Sequence, residues 1–182
     1  MSRTRIVFSG SGGQGVITAA IILAEAAVIY EGMNATQSQS YGAAARGGAT
    51  RSDVILDWDE IDFPGVSRPN ILIALTQTAY NNFSSIIRPG GMLLTDTKYV
   101  TTARKIDARQ IELPIYETIM EKIGKPIVFN ISVLGALIGI TPLVEKESLL
   151  KAIKTRVPRD FVQLNIDAFA HGFELGKEFA IS

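Results

Sequence analysis

The stretch from Arg5 to Gly32 constrains this chain more than any other. A short apolar run, Arg5-Ile6-Val7-Phe8-Ser9, meets Gly10-Ser11-Gly12-Gly13-Gln14-Gly15 and then an Ala-, Ile- and Leu-rich segment from Val16 to Gly32. The first run has the length and character of a buried strand. The glycine segment holds no regular element. Val16–Gly32 predicts a helix stopped by Gly32, apolar on nearly all faces and so buried on more than one side. A strand that turns through glycines into a buried helix belongs to an α/β layer fold.

The rest of the chain repeats the alternation. Asn34–Ser38 predicts a short second strand, and Tyr41–Gly48 a loop whose single charge is Arg46. Ala49–Leu56 alternates polar and apolar residues, which predicts a strand near an edge or at a subunit surface. Asp57–Asn70 has turn chemistry at Pro64-Gly65 and Arg68-Pro69. Asn70–Leu75 and Met92–Asp96 predict buried strands, with a helix over Thr78–Ile87 between them and a weaker strand over Lys105–Leu113. Helices are predicted over Ile115–Ile123, Asn130–Ile140 (despite Gly135 and Gly139), Glu145–Arg156 and Val162–Phe179. Short strands joined by helices imply a three-layer α/β/α fold with a largely parallel or mixed sheet covered on both faces. One domain over residues 1–182 is expected, its C-terminal third helical.

Charge and cysteine content narrow the function. Eighteen basic residues balance eighteen acidic ones, so no broad field is available to hold a nucleic acid or an anionic membrane. With no cysteine, the chain has no disulfide, no thiol nucleophile and no cysteine-ligated iron–sulfur cluster. One histidine, His171, does not make a zinc site. The apolar run Val16–Tyr30 is broken by Thr18 and Glu25 and falls short of the roughly 20 residues that span a bilayer. A cytoplasmic protein is the expectation.

The glycine segment has the Gly10-x-Gly12-x-x-Gly15 spacing of a dinucleotide-binding turn. Glycines admit positive φ and close approach of a ligand, and free amides at a helix start suit a phosphate or diphosphate. Two features argue against NAD and ATP. No acid stands in Ala35–Gln39, where ribose recognition needs one, and no Gly-Lys-Ser/Thr follows. A tight turn that binds nothing fits the same residues. Gln14 reads as a side-chain donor to a ligand or as a cap of the turn. Arg46, flanked by small residues and followed by Gly47 and Gly48, offers a bidentate fork to a phosphate or carboxylate, or a surface ion pair to Asp53 or Asp57. Asp57, Asp59, Glu60 and Asp62 read as a solvated turn or an interface. Asp96 reads either as a residue at a strand-end site or as a helix cap.

In combination these segments resemble the gamma subunits of 2-oxoacid:ferredoxin oxidoreductases. Ser9–Gly15 resembles the family's opening. Gln39–Gly48 resembles its second signature, with Ala43-Ala44 where the family usually has Pro-Glu. Arg88-Pro89-Gly90-Gly91 followed by a strand and Asp96, and Asn130-Ile131-Ser132-Val133-Leu134-Gly135-Ala136-Leu137, agree in order and spacing. The resemblance covers Arg5 to about Gly172. It implies the fold of the gamma domain of pyruvate:ferredoxin oxidoreductase and membership of a complex that converts a 2-oxoacid to an acyl-CoA and reduces ferredoxin. Thiamine diphosphate and iron–sulfur clusters are implied in the alpha, beta and delta partners, and none in this chain.

The glycine loop (Gly10, Ser11, Gly12, Gly13, Gln14, Gly15), with Arg46, Gly47 and Gly48, would then face coenzyme A. The short chain without a fused delta domain suits the 2-oxoglutarate or branched-chain types better than the pyruvate type, and the resemblance favours 2-oxoglutarate. In isolation, self-association through a face left bare by missing partners is expected. A free-standing nucleotide- or flavin-binding protein and a purely structural scaffold subunit are the competing readings.

Overall fold

The computed structural model describes residues 3–40, 48–103 and 105–180. Strands β1 (Thr4–Gly10), β2 (Asn34–Ser40), β3 (Thr50–Asp57), β4 (Ile71–Ala74), β5 (Gly91–Asp96) and β6 (Ala108–Leu113) form one six-stranded sheet in the order β2-β3-β1-β4-β5-β6. β1, β4, β5 and β6 run parallel, while β3 is antiparallel to both of its neighbours, β1 and β2. The sheet is therefore mixed.

The helices are α1 (Val16–Glu25), α2 (Gln77–Phe83), α3 (Ile115–Lys122), α4 (Phe129–Ile140), α5 (Lys146–Arg156) and α6 (Val162–Lys177). A π-helical turn, Ala26–Tyr30, continues α1 and accounts for the longer helix expected there. Among the described residues no helix is long and apolar enough to cross a membrane.

Strand alternation divides the core between the two faces. Ile6 and Phe8 of β1 pack with α1, α4 and α5 in the larger cluster. Val7 points the other way, with Leu72, Leu93 and the α2 residues Ala79, Tyr80 and Phe83. This is the pleat at work on strands covered twice. The two covers are unequal, because most of the helical mass lies on the α1 side.

β3 stands near an edge of the sheet, as its alternation implied, but its polar residues are buried. It lies one strand in from the edge, bonded on both sides, and is buried from Ser52 onward. Its alternating polar residues face partners rather than water. Ser52 Oγ accepts from Gln37 Nε2 at 2.7 Å. Asp53 takes Arg51 Nε at 2.6 Å, and Asp57 takes Arg3 Nε at 2.7 Å. A satisfied buried polar group carries the same sequence pattern as a solvated one.

The long apolar α4 has its own logic. Gly135 and Gly139 lie against the backbone of α6, and Gly172 and Gly176 of α6 lie against the backbone of α4. A Cβ at Gly135 would meet the carbonyl oxygen of Phe169, and one at Gly172 that of Ser132. Glycines spaced by four on both helices remove the side chains from the contact line and let the two backbones touch. All twelve residues of α4 are buried, which is why its composition shows no amphipathic stripe.

Candidate functional site

The glycine loop joins β1 to α1 at the C-terminal end of the parallel strands. Its base is tied to both neighbouring strands. The Leu75 amide donates to Ser9 O at 2.8 Å, and Ser9 Oγ donates to Thr50 O at 3.0 Å. Gln14 braces the loop from inside. Its Oε1 accepts from the Ser11 amide at 2.8 Å, and its Nε2 donates to Leu75 O at 3.1 Å. Both ends of the carboxamide are thus engaged within the protein, and Gln14 shapes the turn.

Three of the loop glycines have a visible internal cause. A Cβ at Gly10 would lie 2.5 Å from Gln14 Oε1, so Gly10 makes room for the brace. Gly13 and Gly15 have φ of 89° and 69°, a region L side chains rarely adopt. Gly15 also abuts Asn130, whose Nδ2 donates to Gly15 O at 3.3 Å. Gly12 is different. Its φ is not positive, and no atom of the described residues lies within 4 Å of where its Cβ would stand.

The loop borders two concavities. One, of about 270 Å3, is lined by Ser11, Gly12, Gly13, Gly15–Thr18 and Thr50. It opens on the start of α1, where Gly15 is the N-cap and no side chain caps the free amides. α2 shows the contrast, since Thr76 Oγ1 accepts from the Ala79 amide at 3.1 Å. An uncapped N-terminus presents unsatisfied N–H groups and a partial positive charge. The second concavity, of about 400 Å3, lies between Gly13–Gly15, the Pro126–Ile131 segment and the Arg156–Phe161 segment. An anion held by the loop would therefore sit at the head of a longer, largely apolar trough.

The sequence-predicted residues separate into groups. Gly10–Gly15 are together at the loop. Gly48 lies two residues before Thr50, which pairs with Gly10 and lines the smaller hollow. Arg46 and Gly47 lie outside the described residues. The carboxylates considered as Arg46 partners have other ones. Asp53 binds Arg51, and Arg3 holds the Asp57 carboxyl below its usual range. The loop carrying Asp57–Asp62 follows the β3 end paired with the start of β1, at the opposite end of the sheet from the glycine loop.

Asp96 acts as a cap at a distance. Its carboxylate accepts from the Lys98 amide at 2.8 Å and from the Tyr116 amide, 20 residues on, at 2.7 Å. Burial pushes its pKa up, against the pull of those amides. It anchors the first turn of α3 and stands beside the edge-to-face trio of Tyr99, Tyr116 and Phe129.

Sequence reasoning on site residues missed Asn130, Arg156 and Phe161, all of which line the larger trough. Asn130 opened one of the matching stretches, so a signal for it existed. Arg156 and Phe161 read only as a helix end and the approach to the last helix.

The comparisons agree with this geometry. Residues 5–175 match the family model described as "Pyruvate ferredoxin/flavodoxin oxidoreductase". A 2-oxoglutarate synthase subunit KorC of Methanocaldococcus jannaschii is 43% identical, over 97% of this chain and 95% of that protein. The crystal structure of a keto/oxoacid ferredoxin oxidoreductase gamma subunit from Geobacter sulfurreducens superposes with a TM-score of 0.87 at 43% identity, covering 96% of this chain and 99% of that one. At 18% identity, the fold recurs with a TM-score of 0.85 in the 2-oxoglutarate:ferredoxin oxidoreductase of Magnetococcus marinus, solved with 2-oxoglutarate, coenzyme A and succinyl-CoA bound. There it covers all of this chain but 33% of the other. The chain belongs to the pyruvate ferredoxin/flavodoxin oxidoreductase family, as a gamma subunit of the 2-oxoacid:ferredoxin oxidoreductase type.

Proposed function

We propose that this chain serves an enzyme that decarboxylates 2-oxoglutarate to succinyl-CoA with reduction of ferredoxin, and that its glycine loop binds the diphosphate of coenzyme A. The observation that carries the second part is Gly12. Neither backbone conformation nor a described neighbour explains a glycine there, whereas a ligand drawn close to the loop backbone does. The uncapped start of α1 beside it supplies the donors for an anion.

The choice of 2-oxoglutarate is supported by relatives that carry the name 2-oxoglutarate synthase and align along nearly their whole length. With no cysteine in the sequence, iron–sulfur clusters belong to partner subunits, as does thiamine diphosphate. The alpha and beta subunits are the partners this reading requires, the cytoplasm is its compartment, and assembly of the complex is the chain's second task.

The test is Gly12→Val in the assembled enzyme. The KM for coenzyme A should rise about tenfold or more, the loss of one or two charge-assisted hydrogen bonds. Decarboxylation of 2-oxoglutarate without coenzyme A serves as the internal control. An unchanged KM would leave the loop as a packing device and favour the scaffold reading.

A further inference from the structure

Strand β2 ends the sheet with one side open. It pairs with β3 along its full length, from Asn34 with Asp57 to Ser40 with Arg51, and among the described residues no strand lies on its other side. Natural sheets guard such edges with lysine, proline, a bulge or a very short strand. Asn34–Ser40 has none of these: its seven residues carry no charge and keep an unbroken register. The opposite edge differs, since β6 presents Arg109 and Glu112.

Alternation fixes which backbone groups of β2 face outward. The amides of Asn70 and Leu75 donate to Arg5 O and Ser9 O, so the odd-numbered residues of β1 face β4 and the even-numbered ones face β3. Carried through the two antiparallel registers, β3 turns Arg51, Asp53 and Ile55 toward β2, and β2 answers with Ser40, Ser38 and Thr36. The N–H and C=O of Ala35, Gln37 and Gln39 therefore point away from the sheet. Above this edge α1 carries an apolar stripe. α1 rests on β1, β3 and β2, and Ile17, Ile21, Ala24 and Val28 recur along it at helical spacing. The first three are half-buried and Val28 is 46% exposed. The stripe is separate from Thr18 and Glu25, which face the trough and α5.

We propose that the β2 edge and the α1 stripe form one surface that binds a second copy of this chain, β2 pairing antiparallel with its own image about a two-fold axis at Gln37. One rotation satisfies both features. Outward-facing residues meet outward-facing ones, Gln37 with Gln37 and Ala35 with Gln39 of the second copy, while each apolar stripe turns toward the other. Thr36, whose buried Oγ1 has no hydrogen-bond partner, stands opposite Ser38 of the second copy in a narrow pair, one χ1 rotation from a Thr–Ser hydrogen bond. A foreign strand would pair the edge and leave the stripe in water. The contact is isologous and closed, and it joins two six-stranded sheets into one. It does not rest on the coenzyme A reading.

The chain has no cysteine, so single cysteines report the register in the purified full-length subunit. Gln37→Cys should cross-link to a dimer on mild oxidation, because paired residues hold their Cα atoms about 5.5 Å apart. Gln39→Cys stands four residues from its own image, about 13 Å away, and should stay uncross-linked. Sedimentation of the unaltered subunit should give twice the mass of one chain. Gln37→Lys sets like charges face to face, and Ile21→Glu charges the stripe without touching the strand. Each should weaken the dimer about fivefold or more and keep the circular dichroism spectrum of the parent. Phe63→Ser, at an exposed side chain outside this surface, should leave the dimer as it was.

A monomeric unaltered subunit would overturn the proposal, as would a Gln39→Cys cross-link as efficient as that of Gln37→Cys, or a dimer indifferent to both Gln37→Lys and Ile21→Glu. So would a Gln37→Cys cross-link in the assembled enzyme that joins this chain to a different subunit, because the edge would then belong to that subunit's strand.

Discussion

At the α4–α6 crossing each glycine answers to a neighbour, while in the Gly10–Gly15 loop Gly12 answers to none among the described residues. A Cβ at Gly135, Gly139, Gly172 or Gly176 would run into the backbone of the facing helix. At Gly12 the same atom would enter open space. The sequence writes both with one letter. The structure shows that four of these glycines serve close packing of the fold and that Gly12 is free to serve something else. The same substitution should therefore have opposite consequences in the two regions.

The largest effect is expected at the crossing. Gly172→Val places a branched side chain where even a single Cβ meets the Ser132 carbonyl. Because both contacting groups are backbone, a rotamer change gives no relief, and the cost should be about 3 kcal/mol. For a chain of this size that lowers the melting temperature by about 6–12 °C, measurable by thermal unfolding of the purified subunit.

Gln14→Ala comes next. It removes the bonds to the Ser11 amide and the Leu75 carbonyl, and at about 1 kcal/mol for each net hydrogen bond it should cost about 1–2 kcal/mol in denaturant unfolding. A value near zero would mean that the loop keeps its shape without the brace. The smallest effect on stability belongs to Gly12→Val, within about 0.5 kcal/mol of the parent, as for surface changes away from any packed feature. The same variant carries the kinetic effect on coenzyme A proposed above. If Gly12→Val destabilised the subunit as much as Gly172→Val, the contrast between the two regions would be gone.

How much of this was readable beforehand depended on range. The β1–loop–α1 unit was legible because its signals are local: an apolar run, glycines, then an Ala-, Ile- and Leu-rich run closed by Gly32. The buried strands β4 and β5 were legible for the same reason. β3 was legible as a strand near an edge, but its burial was not, because Ser52 and Asp53 look like solvent-facing residues. Their partners, Gln37 from β2 and Arg51 beside Val66, become partners only once the sheet has formed. The glycines of α4 looked like defects in a helix, since the backbone that explains them, at Phe169, Phe173, Gly176 and Lys177 of α6, lies far along the chain. Half of the candidate site was legible in the same way. The loop could be named from its letters, whereas Arg156 enters through an ion pair to a residue 131 positions away, and nothing in its own neighbourhood marks it.

The proposed hold of the loop and the start of α1 on part of coenzyme A is tested most directly by amide hydrogen exchange in the assembled enzyme. Adding saturating coenzyme A should slow exchange of the amides from Ser11 to Thr18 by about tenfold or more, as a bound anion suppresses local opening, and leave the α4–α6 crossing as it was. Exchange across Ser11–Thr18 that is the same with and without coenzyme A would contradict it.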